Sequence, residues 1–419
     1  MRNRRARRFG AAALAVGVVI AAPAAAHARA LPDASPPLPG GYYKGQTQLG
    51  KRLKIRVTAN APNGSIAGRL SVACAGARAR FHTSDGSFVA TRRNRRGDVI
   101  FRARGRFTSV KRVQGSVTTV AGSRRCAPGR FAARLTSPSG VRSKAITYGP
   151  YDVDPMGMMG GGMQTMSFWK FDVERPCSDC YLVAMVPDLT YRDGRVANFD
   201  TDAMLHHFVF FNAARTDPTC AGRPLGNLGE RFLASGNERT IVTLPRGYGY
   251  HVMPGDRWRL LADLMNMTDR MQTYYVKVTF FYVKAPARLR SVTPLWLDVN
   301  NCGNSEYSIP AGRSDTHWDY KVPASLAGKI VSMGGHQHDG GVRIKTTDAG
   351  RTICTSRAGY GRNTAYMGHI ESMSGCLGTP LARIHAGDTL RLHSMYNSRT
   401  ARDDVMGIMV GYVDTRAGP

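Results

Sequence analysis

Apolar residues along most of this chain recur at alternate positions in short runs, and clusters of Gly, Asn, Ser and Pro separate the runs. That period of two predicts half-buried β-strands, and frequent turn clusters between short strands are the mark of sandwiches. Between 43 and 147 the pattern predicts strands at Leu53–Val57, Val99–Arg102 and Arg130–Leu135, among others. From 167 onward it predicts strands at Leu205–Phe211, Trp258–Leu264, Tyr274–Val283, Lys329–Ser332, Thr389–Met395 and Val405–Val413. Long amphipathic helices are absent from the pattern. The expected fold is all-β: an N-terminal β-sandwich over 41–147, then two jelly-roll-like β-sandwich domains over 167–287 and 288–416. The last two are divided near the stretch APARLRSVTP.

The N-terminus changes the compartment. Arg2, Arg4, Arg5, Arg7 and Arg8 precede an apolar run from Ala11 to Ala22, and Ala26-His27-Ala28 and Ala28-Arg29-Ala30 follow. A basic segment, a short apolar segment and a small-x-small site predict a signal peptide over 1–30 and a secreted protein. The apolar run is shorter than the roughly 20 residues a spanning helix needs. Formal net charge is +29, with most of the excess before residue 150. Such a protein is attracted to anionic surfaces, and for an exported chain these are cell-wall polymers or lipid head groups. The arginines are scattered through strand-like segments and no nucleic-acid motif is present, so nucleic acid is not an expected partner. A monomer is expected.

All eight cysteines follow the signal segment. An even count in an exported chain predicts disulfides. Cys74 and Cys126 stand alone in the first domain and are paired on that ground. Cys177 or Cys180 is expected to bridge to Cys220, and Cys354 to Cys376, which leaves Cys302 over. The segment 148–166 reads as a Met- and Gly-rich linker holding Met156, Met158, Met159, Met163 and Met166. Thioethers are soft donors that select Cu(I), so the cluster is either a copper-gathering segment or an inert linker.

Two histidine motifs carry the chemistry. In SMGGHQHDGG, His336 and His338 are two apart, which puts both imidazoles on one strand face, as a metal site requires. In TDAMLHHFVFFN, His206 and His207 are adjacent, so both can ligate one ion only if the strand is bulged or twisted. A late strand, DVMGIMVGYV, carries Met406.

The order His-His, then His-x-His, then late Met resembles the copper type II, ascorbate-dependent monooxygenases. That is the family of peptidylglycine α-hydroxylating monooxygenase and dopamine β-monooxygenase, and the chain is closer to the branch with the stress-induced nodulin-like proteins. The resemblance covers about 165–415. It implies two domains facing each other across a wet cleft, each with one copper. His206 and His207 would hold the first, electron-passing copper. His336, His338 and the Met406 sulfur would hold the second, where dioxygen reacts. Ascorbate would be the electron donor, and the small-molecule substrate is unassigned.

The chain departs from the family at three places. No histidine stands where a third ligand of the first copper is expected, in RWRLLADLMNMTD; Met265 or Met267 falls there instead. Gly334 replaces an arginine two residues before the His-x-His motif. Val410 replaces a tyrosine four residues after Met406. A peptide with a C-terminal glycine is therefore not the expected substrate. The leading reading is a copper- and oxygen-dependent oxidoreductase, with His336, His338 and Met406 at its catalytic copper. The alternatives are a non-catalytic copper-sequestering protein and a wall-associated structural protein with a vestigial site.

Overall fold

The computed structural model describes residues 37–58, 66–73, 78–83, 86–118, 129–136, 140–156, 165–361 and 367–417. The expected signal peptide, the Cys74–Cys126 pair, and Met158, Met159 and Met163 lie outside these residues. The described chain is all-β, with only short 3-10 turns between strands. Among the described residues no helix is long and apolar enough to cross a membrane.

The first eight strands form one antiparallel sheet from Tyr42–Thr47 to Gly129–Leu135. Alternation explains it: in Arg52–Thr58 the residues Leu53, Ile55 and Val57 are buried while Arg52, Lys54 and Arg56 face outward. The basic charge of this region is thus the outer half of the strand pattern. The two edge strands approach each other, and Phe81 and Phe88 stack across them at 4.1 Å.

The strand Arg142–Val153 crosses the expected boundary at 147. It pairs along its length with Gln272–Lys284, so residues read as linker up to 153 are a strand of the second domain's sheet. That six-stranded sheet, with Cys180–Thr190 beside Gln272–Lys284, faces a four-stranded one. The order of the latter is Met166–Val173, Trp258–Asn266, Ala203–Asn212, Glu230–Gly236. Phe208, Phe210, Phe232, Trp258 and Phe280 fill the space between the two sheets. In the third domain one five-stranded sheet contains Thr293–Asp298, Arg402–Asp414 and Gly328–Gln337. The other contains Gly312–Lys321 and Thr389–Ser398.

The second and third domains share an apolar interface. Val209 and Phe211 pack with Trp296, Met406 and Ile408, all buried. Burial of side chains this large is worth roughly 1.5–3 kcal/mol each. The Tyr412 hydroxyl donates to the Phe232 carbonyl at 2.6 Å across the same boundary. This explains why the strand Ala203–Asn212 is a nearly continuous apolar run: one face fills its own sandwich and the other fills the interface.

Among the described residues the disulfides are Cys177–Cys180, Cys220–Cys302 and Cys354–Cys376. The last is as expected. The expected bridge from Cys177 or Cys180 to Cys220 is not formed, and Cys302 is not left over. Cys220 lies beyond the end of Ala203–Asn212, against the third domain, where the Trp296 amide donates to Thr219 Oγ1. The Cα atoms of Cys220 and Cys302 are 5.6 Å apart there. The bridge staples two domains, a relation that spacing along the chain does not reveal.

Candidate metal centre

His206 and His207 reach one face because their strand is bulged. Leu205 pairs with Leu264 and His207 with Asp263, so His206 is an extra residue opposite no partner. Before the bulge Leu205 points into the sandwich core; after it Phe208 and Phe210 do. Regular alternation would have sent His206 and His207 to opposite faces. The one-residue insertion brings both to the interface side, and their Nδ1 atoms lie 3.0 Å apart. His336 and His338 need no such device. His336 lies in the strand Gly328–Gln337, His338 follows its end, and their ring centroids are 5.5 Å apart.

The two pairs meet. His206 and His338 have ring centroids 4.6 Å apart, His206 and His207 5.0 Å, and His207 and His336 6.4 Å. The resemblance implied histidine pairs separated by a wet cleft; here the rings are in contact, because the apolar interface seats the sheets directly on each other. Imidazoles sharing one ion at about 2.0 Å would place ring centroids roughly 4.4–6.3 Å apart, depending on the angle between ligands. Three of the four spacings fall in that range; the 6.4 Å between His207 and His336 lies just beyond it, so those two rings must close in to share one ion. Among the described residues no three such side chains are already gathered as a bound metal would hold them.

Two carboxylates brace the cluster. Asp263 Oδ2 lies 2.5 Å from His207 Nε2, and Glu238 Oε1 lies 3.1 Å from His336 Nδ1. His338 Nδ1 donates to the Asp404 carbonyl at 2.6 Å. In each of these three rings one nitrogen is engaged by an oxygen, which leaves the other as a lone-pair donor, the arrangement found behind metal-ligating histidines. The Nε2 atoms of His336 and His338 are buried with no hydrogen-bond partner. Orphaned buried nitrogens are rare, and a metal would satisfy both. The residues therefore fit copper, for which imidazole is a suitable donor in either oxidation state.

Electrostatics favour the neutral form of His206 and His338. Burial, helped by the neighbouring His207 and His336, pushes His206 down to about 3. Burial and the three other histidines hold His338 well below the ordinary imidazole value. Burial would also lower His336, but the Glu238 carboxylate outweighs it and the net direction is upward. Glu238 and Asp263 are depressed: burial opposes this, but the histidine beside each overcomes it.

The loop that presents Glu238 is tightly specified. A Cβ at Gly236 would lie 2.6 Å from His336 Cε1 and 2.7 Å from the His206 carbonyl, so only glycine admits the approach of that ring. Arg239 adopts φ 46°, a left-handed conformation uncommon outside glycine. Its buried guanidinium holds it there, bonding the Ala197 carbonyl at 2.5 Å and Asp188 at 2.9 Å.

Neither Asp263 nor Glu238 was read from the sequence as a site residue. Asp263 had a signal, an acid inside the apolar strand LLADLM. Glu238 had none, since it reaches His336 only through the domain interface. Met265 is buried opposite Met204, on the same strand as Asp263 and two residues from it. Met267 follows the end of that strand and donates its amide to the Asp202 carbonyl. The residue set directly across from His207 is Asp263. Met406 lies on the His336 face, since Ile408 pairs with His336 and Met406 is two residues from Ile408. Its side chain packs among Val209, Phe211, Trp296 and Ile408.

His207, His336 and Met406 border a cavity of about 540 Å3. A small polar pocket of about 30 Å3 is lined by His206, His336 and His338 with Asp339, Arg402 and Asp404. The other histidines are engaged elsewhere: His369 bonds Asp339 and His385 bonds Asp388, while His317 and His393 face each other across a strand pair.

Comparison with known proteins agrees with the family resemblance. Residues 284–415 match the family described as Stress up-regulated Nod 19. The chain is 28% identical over 294 residues to the "Probable copper-dependent oxygenase M1" of a Phoma species, an alignment covering 66% of this chain and 74% of that protein. It is 27% identical over 252 residues to the "Probable copper-dependent oxygenase clz3" of Cochliobolus lunatus, covering 56% of this chain and 80% of that protein.

Proposed function

We propose that this protein is a copper-dependent oxygenase whose copper is held by His206, His207, His336 and His338 together. The observation that carries the reading is the meeting of the two histidine pairs, with orphaned Nε2 atoms on His336 and His338. The names of its relatives support the same chemistry. Bound copper supplies the redox step, the activation of dioxygen toward a substrate C–H bond.

In the monooxygenase reaction a C–H and an O–O bond break and a C–O bond forms. One oxygen atom enters the product and the other leaves as water, with two protons and two electrons. An external donor such as ascorbate provides the electrons and leaves as dehydroascorbate. The protein's residues position and shield. Asp263 and Glu238 fix the orientation and proton of His207 and His336. Burial keeps His206 and His338 neutral, and the apolar walls beside His207 and His336 exclude water. Met406 stands at the cavity edge as the thioether nearest in sequence order to the family's sulfur donor. Disulfides persist in oxidising compartments, and the three among the described residues fit a protein that acts outside the cytoplasm.

A second reading, copper holding without turnover, has one observation in its favour. Four imidazoles exceed the three protein ligands that usually leave a catalytic position open. Copper content and ascorbate-dependent oxygen uptake of the purified exported form decide between them. The proposal expects bound copper and oxygen uptake that His336→Ala abolishes. Copper retained without oxygen uptake favours sequestration, and no copper sinks both readings.

A further inference from the structure

The cavity beside the histidines identifies the kind of molecule it would take. Its walls are mostly apolar and come from all three domains, among them Val57, Leu225, Leu261, Trp296, Ile408 and Val410. Gly334 and Val410 pair directly across their strands and both line it, so no polar side chain projects at that point. The charged groups in its wall are mostly spoken for. Arg231 is paired with Asp217 at 2.6 Å and lies over the Trp296 ring, and Glu238 bonds His336. Arg56, on the outward face of the first domain, has no carboxylate partner among the described residues.

Arg56 also lines a second cavity of about 800 Å3, and Gly40, Thr243 and Leu377 are shared by the two. The second cavity is lined by Lys44, Arg56 and Arg246 and by no Asp or Glu. None of the three cations is in an ion pair among the described residues. A basic vestibule therefore adjoins an apolar chamber, and His207 and His336 are part of the chamber's wall. A low-dielectric wall with cations of one sign at its mouth concentrates anions there, while ligand cavities of about this size bury an apolar body.

We infer that the substrate is an amphiphilic carboxylic acid: its hydrocarbon body occupies the apolar chamber and its carboxylate stays in the vestibule with Lys44, Arg56 and Arg246. The inference rests on the histidine cluster being the reaction centre, and it gives the basic first domain a part in recognising substrate. Oxidation then falls on carbon remote from the carboxylate, because the anionic end is held away from the histidines.

The test is calorimetric binding of dodecanoate and dodecan-1-ol to the full mature chain, with copper content measured on the same samples. Dodecanoate should bind at least tenfold tighter than the alcohol. Arg56→Ala should reduce that difference by weakening dodecanoate alone, and Arg56→Glu should reduce it further. Gly334→Leu should weaken acid and alcohol together by tenfold or more. A Cβ at Gly334 meets only Thr240 Cγ2 at 3.5 Å, so the added side chain fills the chamber without a backbone clash. Equal binding of acid and alcohol, or a preference that Arg56→Glu leaves unchanged, overturns the assignment. So does failure of both ligands to bind protein that carries copper. Protein that binds dodecanoate as expected but takes up no copper contradicts the oxygenase reading and leaves the amphiphile site standing.

Discussion

The two histidine pairs are built by opposite means. His336 and His338 use plain strand alternation, but the carboxylate that orients His336, Glu238, comes from the other domain. His206 and His207 need a bulge, but the carboxylate that orients His207, Asp263, is its neighbour in the same sheet. One pair is simple in backbone and dependent on the interface; the other is irregular in backbone and locally self-sufficient. Disturbing the domain contact should therefore disorder the His336 pair first, and disturbing the bulged sheet should affect the His206 pair first.

The largest expected effect follows from the inter-domain disulfide. Cys220 and Cys302 are 82 residues apart, and closing a loop of that length stabilises by about 4 kcal/mol in the chain-entropy model. Replacing both with serine should lower stability by that order. Hydrogen exchange should accelerate more around 328–338 than around 203–212; equal acceleration would remove the asymmetry.

Next come the bracing carboxylates. Glu238→Gln and Asp263→Asn should each weaken copper binding by about 10–100-fold, as loss of an outer-shell partner does. Only Glu238→Gln should also loosen the interface, because Glu238 reaches His336 across it, read as faster hydrogen exchange around 328–338. Gly236→Ala should be milder, about 1–3 kcal/mol from overpacking, with displacement of His336 and of the His206 backbone. Spectroscopy of bound copper would show whether these ligands have moved.

The smallest effect on copper binding is expected at the methionines. Met265→Ala with Met267→Ala should change copper affinity by less than about twofold. The buried Met265 should still lower stability by roughly 2–5 kcal/mol through the cavity left behind. A large loss of copper affinity would return a sulfur ligand to the first pair.

Much of this arrangement was legible in the chain because it follows from local periodicity. Alternation gave the all-β fold and the shared face of His336 and His338. The same rule showed that His206 and His207 could act together only through a bulge, and a bulge is what the strand contains. What was not legible depends on how separate sheets seat against each other. Nothing local says that Val209 and Phe211 cover Trp296 and Ile408 instead of water, and that contact is what turns two expected sites into one cluster. Glu238 and the Cys220–Cys302 bridge were missed for the same reason: their partners lie across the interface. Arg142–Val153 was split between domain and linker because 148–166 reads as one Met- and Gly-rich segment, although the strand continues beside Gln272–Lys284.

The central claim is that the four histidines form one copper centre, and copper stoichiometry across single-ligand variants tests it most directly. The account predicts one copper per chain in the unsubstituted protein, and loss of that copper in both His207→Ala and His336→Ala. Two coppers per chain, with each substitution removing one and leaving the other, would contradict it and restore two separate sites.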